Sequence, residues 1–263
     1  MKQKISTKQI VLVGLLAALT VVGSGLRIKV PSAIVGTAPS MDGYASNSSS
    51  MEVNHVKVSL YNHCPVGIIL DSEILAQAPM RMLWAGLGDM VAKYISLCEW
   101  RISHILNGEY YCEEVAQLIR TALKKCTDNA EGLLKHDEEA IAAVFEGLVI
   151  GGVAMTYAGV SRPASGVEHY FSHVWDMRGL EFGTKVDLHG IQCAMATMKA
   201  VELYEKVMEV TPNWEKANAY VQSFDLEAWN EELRTFLGNS AETMIALEKK
   251  EGKYRKDTHE ARF

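Results

Sequence analysis

The run from Ala140 to Ala158 carries a single charge, Glu146, and is otherwise almost wholly apolar or small. A helix with one wet face must be polar along that face, so this segment cannot lie on the surface of a water-soluble domain. Two arrangements satisfy it: burial on all sides by other helices, or a membrane crossing, for which its length suffices. Its flanking segments read as ordinary amphipathic helices. We therefore expect a buried core helix and, with it, a mainly α-helical fold.

The flanks fill in that fold. From Gly36 to Ser50 the chain is rich in Gly, Ser, Asn, Pro and Asp and reads as a loop. Val53–Leu60 and Val66–Leu70 are short runs with β-branched residues, separated by the turn-forming stretch Asn62–Pro65, and are expected as two short strands. Beyond Asp71 the pattern is helical. Leu83, Leu87, Met90, Tyr94 and Leu97 recur at spacings of three and four behind Pro79, and Asn107-Gly108 breaks the run. A second helix is expected from about Glu113 to Lys135, and the apolar one from its cap Asp137 to about Gly159. Another should follow His189-Gly190 as far as about Val210. Thr211-Pro212, Asp225 and Asn239 then have the form of helix starts, Asn239 with Glu242 as a capping box. From Lys249 the chain is charged and expected to fray.

With 263 residues, 48% of them hydrophobic, the chain can bury one good core, or one large domain with an appendage. Its net charge of −6, without a long basic run before the last residues, argues against nucleic acid as a partner. Five cysteines, widely spaced and odd in number, read as reduced thiols in a cytoplasmic protein. The leader stands apart. Ile10–Leu26 is uncharged and mostly apolar between Lys2, Lys4, Lys8 and Arg27, Lys29, yet short for a bilayer and weakened as a helix by Gly14, Gly23 and Gly25. A core helix, a signal anchor with membrane contact through 10–26, and a signal peptide all stay open, docking onto the protein being narrowly preferred.

His169 and His173, four apart, would share one face of a helix, in a segment that also holds Glu168 and Asp176. His189 stands just ahead of Gly190, and Asp89 ends Gly86-Leu87-Gly88-Asp89 on a helix that otherwise looks buried. The plain alternatives are histidines hydrogen-bonded at a helix surface and an Asp89–Lys93 pair four apart. One Asp with two His is also a suitable set for a divalent ion that keeps a position open for substrate.

Four stretches in order narrow the choice: Thr37-Ala38-Pro39-Ser40-Met41-Asp42-Gly43-Tyr44-Ala45-Ser46, Gly86-Leu87-Gly88-Asp89, Ser161-Arg162-Pro163-Ala164-Ser165-Gly166-Val167-Glu168-His169, and Leu188-His189-Gly190. They resemble the successive signatures of sn-glycerol-1-phosphate dehydrogenases, in the iron-containing alcohol dehydrogenase and dehydroquinate synthase superfamily. The resemblance runs from Thr37 to the C-terminus. It implies the helical metal-binding domain of the dehydroquinate synthase-like fold with a short β-containing N-terminal region. It implies Asp89, His169 and His189 as ligands of zinc or nickel, and Asp42, Asp89 and His173 as substrate contacts. Asp89 and His173 would be catalytic, and Thr37, Ser40 and Ser46 would touch NAD(P)H. The implied reaction is reduction of dihydroxyacetone phosphate, a small phosphorylated three-carbon substrate, by a cytoplasmic homo-oligomer. Arg162 is a candidate for the substrate phosphate or a structural ion pair.

The implied domains are a leader over 1–36, a cofactor- and substrate-contacting region over 37–75, and a C-terminally truncated catalytic domain over 76–263. The sequence departs from the pattern in places. Residues 1–36 weakly resemble the first membrane helix of substrate-binding components of energy-coupling-factor transporters. Val21-Val22-Gly23-Ser24-Gly25 is too little for a dinucleotide fingerprint, so weak NAD(P)H binding by this chain is expected. Gly36 stands where the family usually has proline, and Cys193-Ala194-Met195-Ala196 is bulkier than the family's glycine-and-valine pattern. Two classes of function stay open: the dehydrogenase, and a metal-binding or membrane-tethered module without turnover.

Overall fold

The computed structural model describes residues 33–53, 56–61 and 63–258. The readings of the apolar run 10–26 lie outside the described residues. Strand β1 (Ala33–Gly36) pairs in parallel with β4 (Gly67–Leu70), Ala33 opposite Gly67 and Gly36 opposite Leu70. Strands β2 (Ser48–Val53) and β3 (Val56–Tyr61) pair antiparallel, from Ser48 opposite Tyr61 to Val53 opposite Val56. The single strand expected over 53–60 is thus the second arm of a ladder whose first arm begins inside the expected loop. Its serines gave no apolar alternation by which to see it.

Ten α-helices follow among the described residues: α1 (Ser72–Ala76), α2 (Met80–Asn107), α3 (Glu113–Asp128), α4 (Ala130–Leu133), α5 (Glu138–Ala158), α6 (Val167–Phe182), α7 (His189–Met208), α8 (Trp214–Ser223), α9 (Leu226–Leu237) and α10 (Ala241–Lys250). The fold is mainly α, as expected. Asp137 caps α5 by accepting from the Ala140 N–H, and Gly159 ends it at φ 70°. α5 is the one helix among the described residues long and apolar enough to cross a membrane, and it packs against α2, α3 and the short turn Gly43–Ala45. Its Ile141, Val144, Phe145 and Leu148 meet Leu83 and Met90 of α2 and Leu123 and Cys126 of α3 in the main core. A second cluster gathers Leu97, Trp100, Ile119 and Ala154, with Trp100 Nε1 donating to Tyr110 O at 2.7 Å.

Several helix ends differ from expectation. α3 stops at Asp128, short of Lys135, and the chain makes the single turn of α4 before His136 takes up φ 53°. α8 is capped by Asn213, whose side chain accepts from the Lys216 N–H, in place of Thr211. Asn239 caps nothing, because its amide donates to both carboxylate oxygens of Glu181 at 3.0 and 3.1 Å. The charged end past Lys249 is partly ordered, Lys256 Nζ donating to Gln222 O at 2.8 Å.

Candidate metal centre

Helices α2 and α7 meet backbone to backbone. A Cβ on Gly190 would lie 1.8 Å from Ala85 O, and one on Gly88 would lie 2.3 Å from Gly190 O. Only glycine lets two backbones approach so closely. The crossing sets Asp89, which follows Gly88, beside His189, which precedes Gly190. The turn at Gly43–Ala45 rests on α5 in the same way, since a Cβ on Gly152 would lie 2.5 Å from the Ala45 Cβ. This seats Asp42 so that its N–H donates to Asp89 Oδ2 at 2.8 Å.

α6 completes the cluster with His169. One ligand atom from each of Asp89, His169, His189 and Cys193 lies within 4.8 Å of all the others. His169 Nε2 is 3.7 Å from Asp89 Oδ1, and its Nδ1 is 2.7 Å from Glu168 Oε1, which also accepts from the Gly166 N–H at 2.8 Å. His189 is arranged alike: Nδ1 is 3.0 Å from Ser172 Oγ, while Nε2 faces Cys193 Sγ at 3.5 Å. Each imidazole therefore turns one nitrogen inward while a second residue holds the other, the arrangement that fixes tautomer and ring orientation in metal sites.

Fully buried Lys93 closes one side, with Nζ 2.7 Å from Asp42 Oδ2, 3.4 Å from Asp89 Oδ1 and 3.0 Å from Asp89 O. The plain Asp89–Lys93 pairing is thus real, and the same carboxylate also faces His169. Burial works against ionising Asp89, but Lys93, His189, His169 and the Asp42 N–H outweigh it and hold its carboxyl below the ordinary range. Burial, followed by the Asp89 charge, pushes the Asp42 carboxyl up. Burial also opposes a charged Cys193, yet His169 and His189 draw its thiol below the usual range. Buried acids crowded against inward-facing imidazole nitrogens form a donor set that a small dication would satisfy.

The other expected residues divide. His173, on α6, stands near the cluster, its ring 6.4 Å from those of both His169 and His189. Burial first, then His169 and His189, push its pKa down to about 4. Asp42 lies within the cluster, buried, with its carboxylate on Lys93. Ser46 is buried and its Oγ donates to Gly43 O at 3.1 Å, Ser40 is half-buried, and Thr37 is exposed. Arg162 makes the ion-pair alternative, its Nε 3.1 Å from Glu109 Oε2. Cys193 and Ser172 were not foreseen. Cys193 is four residues after His189, the spacing that singled out His169 and His173, so the same rule could have found it.

Comparison with known proteins finds relatives along much of the chain. The iron-containing alcohol dehydrogenase family matches residues 21–79. That match begins inside the apolar leader, ahead of Thr37, so the likeness to a transporter component over 1–36 is not supported. The glycerol-1-phosphate dehydrogenase [NAD(P)+] of Geobacillus thermodenitrificans (strain NG80-2) is 35% identical over 224 residues, 85% of this chain and 55% of that protein. The protein of the same name from Methanosarcina mazei is 38% identical over 178 residues, 68% of this chain and 49% of its own. Among solved structures, a probable glycerol dehydrogenase from Sinorhizobium meliloti 1021 matches with TM-score 0.53 at 17% identity, over 79% of this chain and 54% of that one. Glycerol dehydrogenase from Schizosaccharomyces pombe matches with TM-score 0.51 at 18% identity, over 85% and 52%. These two likenesses carry the fold. The chain is related to a segment of the iron-containing alcohol dehydrogenase family and spans about half the length of the curated relatives it matches.

Proposed function

We propose that this chain carries the metal-holding and substrate-handling part of an NAD(P)-linked glycerol-1-phosphate dehydrogenase, which reduces dihydroxyacetone phosphate to sn-glycerol 1-phosphate in the cytoplasm. The observation that carries the reading is the convergence of Asp89, His169 and His189, with the outward nitrogen of each histidine held by Glu168 or Ser172. Those three residues would hold a divalent ion, zinc or nickel. When bound, such an ion supplies Lewis acidity that polarises a ketone and favours hydride delivery to its carbon. Thr37 and Ser40, ahead of Asp42, and Ser46, just after the turn that follows it, are assigned to the nicotinamide cofactor.

The residues around the ligands have separable work. Asp42 N–H and Lys93 fix the Asp89 carboxylate from two directions, so that its orientation does not depend on solvent. Reduction of a ketone needs one proton for the new hydroxyl. His173, with its pKa near 4, is neutral at physiological pH, so it would relay a proton from one ring nitrogen to the other and would not give up a stored one. Asp42 and His173 are assigned with Asp89 to contact the substrate. The same reading takes 37–75 as the cofactor- and substrate-contacting region, 76–263 as the catalytic domain, and the working form as a homo-oligomer.

Metal analysis of the purified chain tests the reading. About one equivalent of a divalent transition ion is expected, and none in the variant combining Asp89→Ala, His169→Ala and His189→Ala. Full occupancy in that triple variant would remove the basis of the proposal.

A further inference from the structure

Cys193 is not among the three ligands implied by resemblance, yet it closes the same cluster. Its side chain is fully buried, on the first turns of α7, one turn beyond His189. Ligand atoms around a tetrahedral ion must stand apart by roughly 3.5 Å when one bond is Zn–S and the other Zn–N. Cys193 Sγ and His189 Nε2 are 3.5 Å apart, and Sγ keeps within 4.8 Å of the Asp89 and His169 ligand atoms. The remaining cysteines have other surroundings: Cys126 donates to Ala143 O at 3.1 Å, Cys64 bonds Thr156 Oγ1 at 3.2 Å, Cys112 donates to Glu114 Oε2 at 3.2 Å, and Cys98 is exposed.

We propose that Cys193 is a fourth protein ligand, so that this chain holds its ion between one carboxylate, two imidazoles and one thiolate. The inference rests on the metal site proposed above. On binding, the Sγ–H bond breaks, the proton passes to solvent, and sulfur donates its electron pair to the ion without any change of oxidation state. Two consequences follow. A soft sulfur donor shifts the preference toward zinc or cobalt(II) and away from harder ions. Four protein ligands also fill a tetrahedral shell, so a substrate oxygen must either displace Sγ or raise the coordination to five.

Cobalt(II) titration of the full 263-residue chain reads this directly. Expected are the visible bands of a tetrahedral ion together with a near-ultraviolet thiolate-to-cobalt charge-transfer band, both saturating at about one equivalent. In Cys193→Ser the charge-transfer band should vanish while visible bands remain. The affinity should fall at least about tenfold, because loss of even an outer partner of a ligand typically costs 10–100-fold. Zinc-edge X-ray absorption of the unmutated chain, which does not depend on a variant folding, should find one sulfur beside nitrogen and oxygen donors. Visible bands without charge transfer and a sulfur-free zinc shell would overturn the fourth ligand and leave the three-residue site standing. A charge-transfer band that persists in Cys193→Ser would likewise overturn it. Failure to take up cobalt or zinc at all would overturn both.

Discussion

The crossing of α2 and α7 and the terminal helices α8 to α10 are both helical, but they are held in opposite ways. α2 buries residues along most of its length, among them Leu83, Gly88, Asp89, Lys93 and Trp100. α8 buries none, α9 only Leu237 and α10 only Ala241. In the crossing, helices meet through glycines and enclose ionisable groups, whereas the terminal helices are defined by caps and exposed ion pairs. Caps and propensity are enough to say where a helix starts and stops. A site needs more, because atoms must be held to within fractions of an ångström by neighbours that cannot move aside. The candidate centre lies in the first region for that reason.

The largest effect expected from breaking the crossing comes from its buried cation. Lys93→Met would leave Asp42 and Asp89 facing each other in a dry interior, with Asp42 stripped of its ion-pair partner and Asp89 left only with the imidazoles beside it, His169 Nε2 at 3.7 Å. Removing one partner of a buried pair costs about 3–5 kcal/mol. In chelator, urea unfolding should register that loss. With zinc present the deficit should shrink, because the ion takes over part of the neutralisation of Asp89. Equal deficits in both conditions would mean that Asp89 faces no metal. Next in size is Gly190→Ala, which drives a methyl into Ala85 O. Overpacking of this kind costs about 2–3 kcal/mol, and the displaced helix should carry His189 out of line and lower metal content as well. Gly67→Ala is the control, since a Cβ there meets nothing within 4 Å. If the two alanine variants unfold alike, the close crossing is not what positions the ligands.

The same contrast explains what could be read from sequence. The buried role of α5 was legible because a helix with almost no charge has few places to go, and Asp137, Gly159 and Asp225 mark their helix ends by local chemistry alone. Asp89, His169 and His189 were legible mainly through resemblance, since spacing alone favoured a surface His pair and left Asp89 a plain pairing with Lys93. Lys93 reaching across to Asp42, Ser172 holding His189 and Arg162 choosing Glu109 all join residues far apart in sequence. No periodicity encodes such pairs. The misplaced start at Asn239 has a related cause: a cap-competent side chain is free to bond elsewhere, and Asn239 bonds Glu181 across the fold.

The smallest effects belong to the terminal helices, and their order tests whether caps or charges shape that region. Asp225 accepts from the Glu227 and Ala228 N–H groups at 3.1 and 3.0 Å, satisfying two donors that begin α9. Asp225→Ala should cost about 1 kcal/mol in urea unfolding, the usual worth of such a cap. Arg234 looks more heavily engaged, pairing with Glu227, Glu231 and Glu242. Those partners are 66–77% exposed, so water already solvates each charge and holding long side chains in place offsets the attraction. Arg234→Ala should leave both the unfolding midpoint and the metal content unchanged, and high salt should not separate it from the unmutated chain. A clear drop in midpoint for Arg234→Ala, larger than that for Asp225→Ala, would make the ion-pair network a structural element in its own right. The terminal helices would then be held by charge as firmly as the crossing is held by fit.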